Sequence, residues 1–177
     1  MSSDSKFLAR ILRHSPEFIG IELDSQGWVG VDDLLRAMKK AGRGMTRAQL
    51  EEIVATNDKS RFTLRGDMIR AAQGHSIQVD LGLVPLEPPE MLYHGTASRN
   101  LDAIFAEGLV PGRRRQVHLS LDPATATRVG ERHGKPTVLR VEAGRMHADG
   151  YAFFRADNGV WLTDRVPAKY LGFGTMR

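Results

Sequence analysis

Three prolines fall within five positions, Pro85, Pro88 and Pro89, inside the stretch Val84-Pro85-Leu86-Glu87-Pro88-Pro89-Glu90. Each ring fixes φ and removes a backbone donor, so neither a helix nor a paired strand runs through this stretch. It divides the 177 residues into two lobes of nearly equal length, 1–84 and 91–177. Apolar residues at 41% and charged residues at 26% are globular proportions, which exclude a disordered or coiled-coil bulk. The chain has no cysteine, so disulfides, thiolate metal sites and thiol nucleophiles are excluded. No apolar run approaches the length of a membrane span, and Met1–Arg10 lacks the apolar core of a signal peptide. The expectation is a cytoplasmic protein with no membrane partner.

In the first lobe, Phe7, Leu8, Ile11 and Leu12 recur at helical spacing, and Pro16 predicts a helix end near His14. Gly27–Val31 reads as a short strand. Asp32-Asp33 is expected to cap a helix through Leu34, Leu35 and Met38, which Gly42-Arg43-Gly44 ends. Thr46 opens another helix with Leu50, Ile53 and Val54 on one face. Two strands, Arg61–Leu64 and Met68–Ala72, flank Gly66-Asp67. Three helices followed by a hairpin is the order of a winged helix.

The second lobe reads as α+β. Met91–His94 is a predicted strand ending at Gly95-Thr96, and Asn100–Glu107 a helix stopped by Gly108. Val117–Ser120 is strand-like, and Asp122-Pro123 starts a helix through Arg132. Val138–Val141, Ala152–Phe154 and Val160–Leu162 complete a small curved sheet with two helices. Neither glycine-rich nucleotide loop, GxGxxG or GxxxxGK[ST], is present.

Charge is unevenly divided. Residues 1–90 carry 12 Lys/Arg against 13 Asp/Glu, whereas residues 91–177 carry 13 against 8. The second lobe is therefore the better match for an anionic partner. Two of its histidines, His94 and His118, are expected at strand ends, each with a hydroxyl two positions on (Thr96, Ser120). Such a histidine either holds a ligand or satisfies a sheet edge. Arg113-Arg114-Arg115 is either a solvated loop or a phosphate clamp, since the guanidinium fork fits phosphate oxygens. Arg13-His14 likewise admits two readings, because cations suit a helix C-terminus without any ligand. The turn Asn57-Asp58-Lys59-Ser60-Arg61-Phe62 is the remaining polar feature. No metal-ligand cluster stands out, and none is expected.

Taken in order, several segments resemble the RNA 2′-phosphotransferase family, the KptA-type phosphotransferases of tRNA splicing. They are Leu12–Glu17, Asp24 with Gly27-Trp28, Asn57–Phe62, Tyr93-His94-Gly95-Thr96, Gly108–Pro111, Arg114 with Val117-His118-Leu119-Ser120, and Asn158–Leu162. The resemblance spans residues 6–173. It implies an N-terminal winged-helix-like lobe that meets the RNA phosphate and a C-terminal ADP-ribosyltransferase-like lobe that binds NAD⁺. The implied catalytic set is Arg13, His14, Arg61 and Arg114, with Arg114 chosen among three consecutive arginines. His94, Gly95, Thr96, His118 and Ser120 would line the NAD⁺ groove, and NAD⁺ would be a consumed co-substrate. Many other ADP-ribosyltransferases carry a catalytic Glu on a later strand. The matching slot here holds Val160, which suits a nucleophile that is already an anionic phosphate. The implied partner is RNA carrying a 2′-phosphate, bound by a monomer with no protein partner. ADP-ribosyl transfer to terminal phosphates of RNA or DNA is the alternative on the same fold. A non-enzymatic nucleic-acid-binding winged helix is the other.

Overall fold

The computed structural model describes residues 2–57 and 60–174, and the chain divides between Leu83 and Val84 into two compact units. Asp58 and Lys59, part of the polar turn noted above, lie outside the described residues. Among the described residues no helix is long and apolar enough to cross a membrane.

The first unit opens with α1, Ser3–Arg13, whose N-cap Ser2 accepts a hydrogen bond from the Ser5 amide. Leu8, Ile11 and Leu12 are fully buried on one face. The helix ends at His14, two residues before Pro16 begins a 3₁₀ turn, Pro16–Ile19. Strand β1, Val29–Gly30, runs directly into α2, Val31–Lys40. Asp32 and Asp33 do not cap this helix, contrary to expectation. Gly30 holds the cap position, and the two carboxylates lie in the first turn, where the positive helix end favours them. Helix α3, Arg47–Thr56, starts from a complete capping box between Thr46 and Gln49. Strands β2, Phe62–Arg65, and β3, Met68–Ala71, form the hairpin around Gly66-Asp67. β1 adds to β3, giving the sheet order β1-β3-β2. Val31, Leu34, Met38, Leu50 and Ile69 close the core with α1.

The second unit differs from the single sheet and two helices expected. Among the described residues it holds two three-stranded antiparallel sheets and three α-helices. The elements are β4 (Leu92–Ala97), α4 (Leu101–Glu107), β5 (Val117–Leu119), α5 (Pro123–Glu131) and β6 (Pro136–Val141). Then follow α6 (Ala143–Ala148), β7 (Phe153–Arg155), β8 (Trp161–Thr163) and β9 (Leu171–Phe173). The sheet orders are β4-β6-β9 and β5-β8-β7, and a bridge between Tyr93 and Ser120 joins them. Helix α6 and strand β9 are too short for hydrophobic periodicity to reveal. What holds them is tertiary packing, with Ala143 and Met146 fully buried in the same core as Leu92, Leu139 and Phe153. The proline stretch is tied to this unit, since the Leu86 amide donates to Phe153 O at 2.8 Å.

Strand β4 does not stop at Gly95-Thr96. It continues to Ala97, paired along its length with β6, Gly95 opposite Val138 and Thr96 opposite Thr137. The glycine is required by a neighbour. A Cβ on Gly95 would lie 1.6 Å from the carbonyl oxygen of Ala126 in α5. His94 and His118 are therefore interior strand positions, not strand ends.

Candidate active site

In the first unit, one short segment gathers the residues singled out from the sequence. After β3 the chain passes through Ala72-Gln73-Gly74-His75-Ser76. The Ala72 amide donates to Arg61 O at 2.8 Å, and the Ser76 amide donates to Arg13 O at 3.0 Å. Arg61 is 9% exposed, and its backbone amide and Nη1 both donate to Asn57 Oδ1, at 3.2 and 3.4 Å. Asn57 in turn donates from Nδ2 to Ser5 Oγ of α1. The Arg13 side chain lies along Gly74, where a Cβ would stand 3.3 Å from Nε and 3.4 Å from Cζ. Gly74 has φ of +90°, a conformation glycine adopts without strain. His14 is exposed, and its Nδ1 is 2.8 Å from Ser76 Oγ. Arg13, His14 and Arg61 thus share a single backbone support. Sequence reasoning missed that support. No local signal marks it, because its role comes from contacts with the end of α1, far away along the chain.

His75 sits in the middle of this segment, 3% exposed, with Nε2 buried and lacking a hydrogen-bond partner among the described residues. Burial, reinforced by the positive charges of Arg13, Arg70 and His14, lowers its pKa to about 4. It is therefore neutral at neutral pH. The unfolded chain takes up this proton near pH 6.5 and the folded chain only near 4. Stability is thus lost as pH falls through that window. At up to about 1.4 kcal/mol per pH unit, the loss from pH 7 to pH 5 is roughly 2 kcal/mol. Urea unfolding at those two pH values should show wild type losing about that much more than His75→Gln. Equal losses would mean that His75 titrates normally in the folded protein.

In the second unit, Tyr93 and Ser120 exchange both backbone hydrogen bonds, at 2.9 and 2.7 Å. This joint sets β4 beside β5 and brings His94 to His118. His94 Nδ1 lies 3.0 Å from His118 O. A carbonyl only accepts, so Nδ1 carries the proton and Nε2 keeps its lone pair. Burial pulls the His94 pKa below its ordinary value. The His118 carbonyl opposes that shift, while His133 and Arg114 add to it. The Arg114 guanidinium donates to His118 Nδ1, which assigns the proton of neutral His118 to Nε2. Of the three consecutive arginines, Arg114 is the one that meets this histidine pair.

The bare side of Gly95 is occupied by α5, and Thr96 is 5% exposed with its hydroxyl accepting from Asn100 Nδ2. Val160 stands just ahead of β8, in a turn where Ala156 N donates to its carbonyl oxygen.

The model of the RNA 2′-phosphotransferase, Tpt1 / KptA family matches residues 2–165, which include every candidate site residue. The chain belongs to this family. A probable RNA 2′-phosphotransferase of Agrobacterium fabrum is 59% identical over 172 residues, covering 96% of this chain and 92% of that protein. One from Streptomyces coelicolor is 55% identical, covering 96% and 93%. One from Acaryochloris marina is 53% identical, covering 94% and 93%. Membership of the Tpt1 / KptA family makes the chain an enzyme, with the mixed α+β fold described above.

Proposed function

We propose that this enzyme removes an internal 2′-phosphate from RNA, with NAD⁺ as a consumed co-substrate. In the first step a 2′-phosphate oxygen attacks C1″ of the nicotinamide ribose and expels nicotinamide. In the second, the ribose O2″ attacks the phosphorus of the resulting RNA-2′-phospho-ADP-ribose. The RNA 2′-OH leaves, and ADP-ribose 1″,2″-cyclic phosphate is the other product.

The observation that carries this reading is the convergence of Arg13, His14 and Arg61 on the Ala72–Ser76 segment. Their side chains, two guanidiniums and an imidazole, are the hydrogen-bond donors that suit a phosphate dianion. The arginines stay cationic at any ordinary pH and offset charge that develops at phosphorus. His14 moves the proton that the leaving RNA oxygen requires. Arg114 is proposed as the fourth member of the catalytic set.

Three helices and a hairpin support a winged-helix-like reading of the first unit, and paired three-stranded sheets an ADP-ribosyltransferase-like reading of the second. The histidine pair fits NAD⁺ in a specific way. His94 Nε2 is an acceptor suited to a ribose hydroxyl, and His118 Nε2–H a donor suited to an oxygen of the dinucleotide. Ser120 frames the pair through its backbone. Gly95 lets α5 pack closely against β4, the strand that carries His94.

The test is nicotinamide release with a synthetic oligonucleotide carrying one internal 2′-phosphate. Release should require that phosphate, and mass spectrometry should show the oligonucleotide converted to its 2′-OH form. Phosphate loss without NAD⁺ would overturn the proposal. Release driven only by a 5′-phosphorylated oligonucleotide would move it to terminal-phosphate ADP-ribosylation.

A further inference from the structure

His94 and His14 have different kinds of hydrogen-bond partner. His94 Nδ1 faces a backbone carbonyl, which can only accept and so holds the ring in one neutral tautomer. His14 Nδ1 faces a hydroxyl, Ser76 Oγ, at 2.8 Å. A hydroxyl both donates and accepts, and reorients by rotation about one bond. When His14 is neutral with its proton on Nε2, Ser76 donates to Nδ1. When His14 is an imidazolium, or neutral with its proton on Nδ1, Ser76 accepts from it. Either way the ring keeps the same partner at the same place.

The position of Ser76 is itself fixed. Its amide donates to Arg13 O at 3.0 Å, so the backbone that presents the hydroxyl is tied to the end of the helix that presents His14. The two side chains therefore meet across a closed hydrogen-bonded loop, although 62 residues apart in sequence.

We propose that Ser76 is the positioning residue for His14. Its hydroxyl accepts from Nδ1–H and so holds the imidazole in one orientation while Nε2 gains and loses a proton. The proposal rests on the reading above in which His14 transfers a proton in the second chemical step. In that step O2″ loses a proton as it bonds to phosphorus, and the RNA 2′-oxygen gains one as its bond to phosphorus breaks. A single imidazole balances both transfers only if it serves as base and acid in turn. Through that exchange Nδ1 keeps its proton, and the Ser76 oxygen goes on accepting from it.

The test uses the full-length enzyme with an oligonucleotide carrying one internal 2′-phosphate, following both steps in time courses. Ser76→Thr and Ser76→Val have the same shape and differ in the hydroxyl, which separates its role from side-chain volume. The threonine variant should keep the second step within about twofold of wild type. The valine variant and Ser76→Ala should slow it by roughly three- to tenfold, the effect of one lost neutral hydrogen bond. The first step should stay unchanged, and the RNA-2′-phospho-ADP-ribose intermediate should build up. The double variant Ser76→Ala/His14→Ala should be no slower than His14→Ala alone, because a residue that acts through another has no effect once that other is gone.

Equal rates for the threonine and valine variants would overturn the proposal while leaving the His14 reading intact. So would a further slowing of the double variant, which would mean that the hydroxyl acts on the substrate itself. A His14→Ala enzyme with wild-type rates in both steps would overturn the reading of His14, and the role of Ser76 with it.

Discussion

Gly95→Ala should strongly destabilise the second unit. The methyl carbon would lie 1.6 Å from Ala126 O, 2.6 Å from Ala126 C and 2.9 Å from Gly130 N. All three are backbone atoms, so no rotamer change relieves the overlap. The opposing residue is also a glycine. A Cβ on Gly130 would meet Thr96 O at 2.9 Å. Two bare backbones therefore meet where α5 crosses β4, and one methyl would push the helix off the strand. Helix α5 would carry Ala126, fully buried, away with it. Ordinary overpacking costs about 1–3 kcal/mol, and a backbone overlap with no escape belongs with the largest single-residue effects, ~4 kcal/mol or more. For a unit of this size that lowers the melting temperature by roughly 15–30 °C. Gly112→Ala is the matched control, because a Cβ there meets nothing within 4 Å. Circular dichroism melts of both variants check the expectation. A Gly95→Ala protein melting with wild type would mean that α5 does not sit against β4.

The same glycine shows why part of the second unit was hard to read from sequence. Gly95-Thr96 has the local signature of a strand end, yet the cause of the glycine lies some 30 residues later, in α5. Local signals sufficed where the determinant was itself local. Thr46 announced α3, Asp122-Pro123 announced α5, and Gly66-Asp67 announced the hairpin. Asp32-Asp33 misled because a carboxylate suits the first turn of a helix as well as its cap. The site residues follow the same rule. Arg13, His14, Arg61 and Arg114 stood out as charged residues in recognisable segments. His75 and Ser76 carry no such mark. Their importance comes from contacts with α1, far away along the chain, and only the fold reveals them.

His14→Ala and Arg61→Ala should stall the reaction between its two steps. In the first step the nucleophile is already an anion, and nicotinamide departs by shedding its positive charge. Little proton transfer is needed there. In the second step charge shifts at phosphorus, and the leaving RNA oxygen requires a proton. Removing one preorganised electrostatic contact from such a transition state typically costs ~3–4 kcal/mol, roughly a hundred- to thousandfold in rate. The second step should fall by that factor and the first by much less, so that RNA-2′-phospho-ADP-ribose accumulates. The two positions differ in how far they also support the fold. His14 is exposed, and its removal should leave the melting temperature nearly unchanged. Arg61 is buried against Asn57, which is itself bonded to Ser5 of α1, so its truncation loosens part of the first unit. Arg61→Lys separates the two effects: it keeps a positive charge but loses the guanidinium fork. A gel or mass-spectrometric time course of each variant, read beside its melting temperature, decides the matter. If Arg61 only anchors its strand and His14 only closes its helix, both steps decline together and in proportion to lost stability. A well-folded His14→Ala enzyme that turns over slowly with no trace of intermediate would assign the histidine to binding, not to proton transfer.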